Sequence, residues 1–337
     1  TKGMPKKFCE RFAITHFFNP VRFMRLLELV RGEFTRDEVI DTLDLFSEKI
    51  LGKGVVSCQD TPGFLANRVG VFAIQCALHK AFEYKLSPTE ADAFFGRPLG
   101  LPKTGVFGLY DLIGIDLMAD VVKSLVSILP ENDAFHKYSS QIKFMSKMIA
   151  NGQTGNKNEK GFYKQIGDER QVIDLSNGSY GPHERLKTPL LEEAEKIGIS
   201  FIIKDTSPYG LYIWDVISET LCYAASLVPE VTDDLTQIDD AMKLGYNWVQ
   251  GPFELLDEIG IEYFVDRLQA DGRDVPEFLL KAINNKFYIN SKSGLSSLSP
   301  SGNLKPIIRP DGVLRFSEVR QTLKAINSNE SASWFEY

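Results

Sequence analysis

Arg11 to Val30 reads RFAITHFFNPVRFMRLLELV, and the pairing of this stretch decides the fold. Phe12 to Phe18 is an aromatic-rich apolar run, Asn19-Pro20 is a turn signal, and Phe23 to Val30 is a second apolar run. Two strands joined by a short connection are expected. His16 and Glu28 interrupt the two runs, and strands folding back around residue 22 set their side chains face to face. A buried carboxylate beside an imidazole orients the ring and stabilises the imidazolium, as a general base requires near neutral pH. Taken alone, a single His in a strand is more often a satisfied core or turn residue.

The chain has 337 residues, 43% hydrophobic and 25% charged, a globular composition large enough for two or three domains. A formal charge of −7 with dispersed basic residues argues against a nucleic-acid surface. No run approaches the roughly 18 apolar residues of a membrane span, and the opening TKGMPKKF has no signal-peptide core. Cys9, Cys58, Cys76 and Cys222 form no CxxC pair, which points to reduced thiols, a cytoplasmic location and no metal site.

Further along, Thr35 with Glu38 predicts a capping box, and Val39, Leu43, Phe46 and Ile50 follow at helical spacing. Val55 to Cys58 reads as a strand. Thr61-Pro62 predicts the start of a long helix ending near Tyr84, with Asn67 in its first turns, where free N–H groups can meet a carbonyl or anion. A local capping role is the plainer reading of Asn67. His79 and His183 are expected at the surface. Ser87 to Glu90 opens another helix, and Gly114 breaks a later one. ADAFFGRPLGLPKTGVFGLYDLIGID (91–116) is echoed by IDDAMKLGYNWVQGPFELLDEIGIE (238–262), so one helical unit is expected twice. In the second copy Trp214 replaces Asn67, which suggests a structural role. Residues 166–204, with one helix over Pro189–Gly198, and the Ser/Gly-rich run after Tyr288 read as linkers, and Phe316–Ile326 as a helix.

HFFNPV, the Glu twelve residues after its His, DTPGFLANRVG at 60–70 and GFYK at 161–164 together resemble the L-3-hydroxyacyl-CoA dehydrogenase family. The resemblance implies an NAD-dependent oxidoreductase of fatty-acid β-oxidation acting on an acyl-CoA, with a His16–Glu28 dyad and Asn67 as substrate contact. It implies a mainly α fold: tandem copies of the family's C-terminal helical domain (61–165 and 205–290), preceded by the last strands and helix of a Rossmann-type α/β domain (1–60). No Gly-x-Gly-x-x-Gly follows a strand, and Gly52-Lys53-Gly54 reads as a helix end, so the cofactor-binding residues, and a Ser the family uses with its dyad, are expected upstream of Thr1. The closing WFEY resembles the first strand of an enoyl-CoA hydratase, which makes 291–337 a linker toward a fused module. A homodimer through the helical unit is a further expectation. The alternative from another class is a non-catalytic helical scaffold for dimerisation and coenzyme A contact.

Overall fold

The computed structural model describes residues 1–291, 294–308, 325–328 and 333–335. A short helix α1 (Lys6–Cys9) leads into β1 (Ala13–Phe17) and β2 (Leu26–Arg31), which pair antiparallel with His16 opposite Glu28. Strand β3 (Gly54–Cys58) adds parallel to β2, and helix α2 (Asp37–Lys49) makes the crossover between them. Leu26 through Val30 are buried without a break, as expected of a central strand covered on both faces.

The Thr35–Glu38 capping box does not form. Thr35 instead donates to the Phe12 carbonyl and accepts from the Gly32 N–H, tying the turn before α2 to β1. Phe46 and Ile50 of the expected apolar face lie exposed, and Ser47 is the buried residue of α2.

A helical region follows, with α3 (Ala66–Glu83), α4 (Pro88–Phe94), α5 (Gly105–Ile113), α6 (Ile115–Ile128) and α7 (Lys143–Ala150). Helix α3 starts later than Thr61-Pro62 predicts, because Gly63 (φ +78°) and Phe64 (φ +52°) first turn the backbone through the left-handed region. Ser87 and Glu90 form the expected capping box on α4. Gly114, at φ +111°, separates α5 from α6 where the sequence places the break. His79 is not at the surface: its ring lies half-buried against Tyr138, and burial lowers its pKa.

A three-stranded antiparallel sheet begins with β4 (Tyr163–Ile166) and runs into the 166–204 stretch as β5 (Glu169–Ile173) and β6 (Tyr180–Pro182), before α8 (Pro189–Ile197) and α9 (Ile199–Ile202). His183, just past β6, packs its ring against Tyr163 and is half-buried. The chain continues through α10 (Pro208–Ser226), α11 (Leu235–Tyr246), α12 (Pro252–Ile259), α13 (Ile261–Ala270) and α14 (Glu277–Lys281). The Ser/Gly-rich run then pairs as β7 (Tyr288–Ser291), β8 (Gly294–Leu298) and β9 (Leu304–Pro306), with Ser296 and Ser297 inside β8 opposite Ile289 and Tyr288. Strands β10 (Ala325–Ser328) and β11 (Ser333–Phe335) pair antiparallel. The helix expected over Phe316–Ile326 falls outside the described residues except at 325 and 326, which belong to β10; residues 336 and 337 of WFEY also lie outside them.

One hydrogen-bond pattern occurs twice. Asp92 accepts from the Phe107 and Gly108 amides (2.7 and 3.0 Å) and the Tyr163 hydroxyl (2.8 Å). Asp239 accepts from the Phe253 and Glu254 amides (2.9 and 3.1 Å) and the Tyr288 hydroxyl (2.8 Å). Asp111 takes the amides of Phe162 and Tyr163, and Asp257 those of Phe287 and Tyr288. In each half a glycine sits where a Cβ would fall about 2.4 Å from the aspartate, Gly105 against Asp92 and Gly251 against Asp239. Helices α3 and α10 lie side by side between these halves: Phe72 stacks on Tyr223 at 4.3 Å, and buried Arg68 bonds Tyr223, Glu230 and Asp133.

Burial pushes Asp92 up to about 7 and Asp111 up to about 6. Both groups hold protons more tightly folded than unfolded, so their contribution to stability is full below about pH 4 and is lost as pH rises through about 6 to 7. Asp92→Asn offers an NH2 where donors already point and is expected to cost about 1–3 kcal/mol. Urea melts from about pH 4 to about pH 8 should show a flatter pH dependence in Asp92→Asn than in wild type; equal slopes would contradict this account of Asp92.

Candidate active site at the sheet–helix junction

Antiparallel pairing puts His16 and Glu28 on the same face of neighbouring strands, and their side chains meet. His16 Nδ1 lies 2.6 Å from Glu28 Oε2. Glu28 is wholly buried, whereas the His16 side chain keeps 34% of its surface open. A carboxylate can only accept, so Nδ1 carries a proton, and in the neutral ring Nε2 presents a lone pair. Nε2 has no hydrogen-bond partner among the described residues.

The other carboxylate oxygen does something the sequence did not announce. Glu28 Oε1 accepts the amides of Leu65 (2.9 Å) and Ala66 (2.8 Å), the entry to α3. Glu28 thus caps a helix whose first residue lies 38 positions downstream. A buried anion at a helix N-terminus gains from the free N–H groups and the helix dipole, on the order of 0.3–2 kcal/mol. The Cys58 thiol also approaches Oε1, at 3.7 Å, and burial, with Glu28 beside it, pushes that thiol up, away from the thiolate. Amide, imidazole and thiol donors together satisfy a charge that burial would otherwise penalise heavily.

Asn67, the second residue of α3, follows directly on the Ala66 amide that Glu28 binds. It is half-buried, and its side chain has no hydrogen-bond partner among the described residues. The structure therefore brings His16, Glu28 and Asn67 to one junction between sheet and helices. Phe64 and Phe18 flank the His16 ring at 5.6 and 5.4 Å between centroids.

The Gly52-Lys53-Gly54 segment leads from α2 to β3, and Lys53 Nζ is held by the Val21 and Met24 carbonyls. No Gly-x-Gly-x-x-Gly follows a strand in the chain. The His16 imidazole offers a proton acceptor, and among the described residues no glycine-rich turn joins a strand to a helix N-terminus as a pyrophosphate cradle does. Among the described residues no cluster of His, Cys, Asp and Glu could hold a metal, and no helix is long and apolar enough to cross a membrane.

An α/β unit meets a helical unit at a seam that carries an imidazole oriented by a buried carboxylate, an arrangement a general base could use. Residues 5–61 match the 3-hydroxyacyl-CoA dehydrogenase NAD binding domain, and residues 63–165 match the 3-hydroxyacyl-CoA dehydrogenase C-terminal domain. The chain belongs to the 3-hydroxyacyl-CoA dehydrogenase family. It is 43% identical over 263 residues to a putative fatty acid oxidation complex trifunctional enzyme of Rickettsia prowazekii, covering 75% of this chain and 35% of that protein. It is 31% identical over 341 residues to a probable 3-hydroxyacyl-CoA dehydrogenase of Bacillus subtilis, covering 98% of this chain and 43% of that protein. The chain thus spans less than half the length of these relatives. The crystal structure of Escherichia coli 3-hydroxybutyryl-CoA dehydrogenase superposes with a TM-score of 0.57 at 20% identity over 81% of this chain and 70% of that one, a likeness of fold.

Proposed function

We propose that this chain supplies the proton-transfer and substrate side of an NAD-dependent L-3-hydroxyacyl-CoA dehydrogenase of fatty-acid β-oxidation. The observation that carries this reading is the 2.6 Å contact between His16 Nδ1 and the buried Glu28, which leaves Nε2 free at the family's domain seam. His16 Nε2 takes the proton of the substrate's 3-hydroxyl as that carbon is oxidised to the ketone. Glu28 holds the ring in the productive tautomer and stabilises the imidazolium. NAD, when bound, would take up the hydride that leaves this carbon. Asn67 donates its amide to an oxygen of the acyl chain.

Tandem copies of one helical domain are part of this reading, on the strength of the doubled aspartate pattern at Asp92 and Asp239. The second copy would occupy the face a second subunit would otherwise cover. A fused enoyl-CoA hydratase module and a cytoplasmic location complete the assignment; four unpaired cysteines fit a reducing compartment.

The test is NADH consumption with acetoacetyl-CoA by the full-length protein. Asn67→Ala is expected to raise KM or lower kcat by about two- to tenfold, the loss of one hydrogen bond worth about 0.5–1.5 kcal/mol. Unchanged constants would remove Asn67 from the substrate contact. Absence of turnover with any 3-ketoacyl-CoA would remove the reading itself.

A further inference from the structure

The C-terminal end of α11 reaches out of the second helical unit into the seam that holds His16. Gln237 accepts the Ser57 amide of β3 at 2.8 Å, which pins α11 along the sheet. Three consecutive residues then interlock with the sheet and with α3. A Cβ at Gly54 would fall 2.5 Å from Leu244, one at Gly245 would fall 2.6 Å from Leu26, and one at Gly70 would fall 2.1 Å from the Tyr246 ring. None of these glycines needs a left-handed φ, so their value here is close approach.

Tyr246 is the wedge. Its ring meets Phe18 edge-on at 5.8 Å, and Phe18 in turn meets the His16 ring edge-on at 5.4 Å. On its other side it presses on the backbone of α3 at Gly70, one turn past the Ala66 amide held by Glu28. One side chain thus touches both the strand end beside the imidazole and the helix capped by its carboxylate.

We propose that Tyr246 is a positioning residue for the dyad: wedged between Phe18 and Gly70, it sets the angle between the β1–β2 pair and α3, and through that angle the alignment of His16 with Glu28. The second helical unit therefore acts on the site of the first, although it lacks a counterpart of Asn67. This inference rests on the reading of His16 as the base only for its effect on rate; its effect on the ring is independent of that reading.

The test uses the whole chain, with 15N-labelled histidine and the His16 signals assigned by His16→Gln. In wild type the neutral His16 should be protonated at Nδ1. In Tyr246→Ala the two nitrogen shifts should move toward the averaged values of a free imidazole, while Tyr246→Phe, which keeps the ring, should retain the wild-type shifts. Tyr246→Leu, which keeps apolar volume without a planar edge, serves should the alanine variant unfold, and is expected to resemble Tyr246→Ala. In the full-length protein Tyr246→Ala should lower kcat by about 10²-fold with a smaller change in KM, the scale expected of misplacing a catalytic group by about 1 Å. Folded Tyr246→Ala or Tyr246→Leu chains with wild-type His16 shifts would overturn the inference and leave the dehydrogenase reading standing. Altered shifts together with full activity of His16→Gln would uphold the positioning and remove the catalytic reading.

Discussion

Replacing His16 by alanine in the full-length protein is expected to lower kcat/KM for an L-3-hydroxyacyl-CoA by about 10² to 10⁴-fold, with the larger share of the loss in kcat. On the proposed reading the ring makes one proton transfer, and among the described residues no other group at the seam is placed to take it over. Glu28 is wholly buried, and both its oxygens are already engaged by Leu65, Ala66 and His16. Cys58 is buried, and its thiol is pushed away from ionising. The fold should survive, because His16 is partly exposed and Glu28 keeps its two helix amides. Steady-state kinetics alongside a thermal melt check both halves. Near-normal turnover in a folded His16→Ala protein would refute the general-base role.

Glu28→Gln is expected to cost about as much, although it changes a single atom. Two backbone N–H groups point at Oε1, so a glutamine must place its carbonyl oxygen there and turn its NH2 toward His16 Nδ1. Nδ1 then has to accept, and the proton of the neutral ring moves to Nε2, where the lone pair was needed. The corresponding carboxylate-to-amide change in a serine-protease triad costs about 10⁴ for the same tautomeric reason. Glu28→Asp, which keeps the charge but shortens the reach, should lose less than Glu28→Gln. Kinetics of the two variants, with 15N shifts of His16 to read the tautomer, decide the matter. Glu28→Gln activity within a fewfold of wild type would show that tautomer control is not what Glu28 provides.

The part of this site legible in the sequence was the part governed by local rules. A turn at Asn19-Pro20 between two apolar runs fixes an antiparallel register, and register sets His16 opposite Glu28. The Ile-Gly-Ile of 113–115 and of 259–261 was likewise legible, as a local echo in the sequence. Contacts across long separations were not legible. Glu28 capping α3 joins residues 28 and 66, and Tyr246 against Gly70 joins residues further apart still. Neither leaves a periodic trace, and the Gly70 signal is only a glycine inside a helix.

Composition misled where tertiary partners decide. Thr35 and Glu38 have capping-box spacing, but the Phe12 carbonyl takes the threonine hydroxyl. Serine and glycine after Tyr288 suggested a linker, yet they pair into strands whose first residue closes the hydrogen bonds of Asp239 and Asp257. His79 looked like a surface residue on a polar helix end, and the Tyr138 ring covers it.

The most direct test is a crystal structure of the full-length protein with an L-3-hydroxyacyl-CoA bound. The account predicts the substrate's 3-hydroxyl within about 2.6–3.2 Å of His16 Nε2, with Glu28 still on Nδ1. A substrate bound with its 3-hydroxyl out of reach of His16, on another face and with no bridging water, would contradict it.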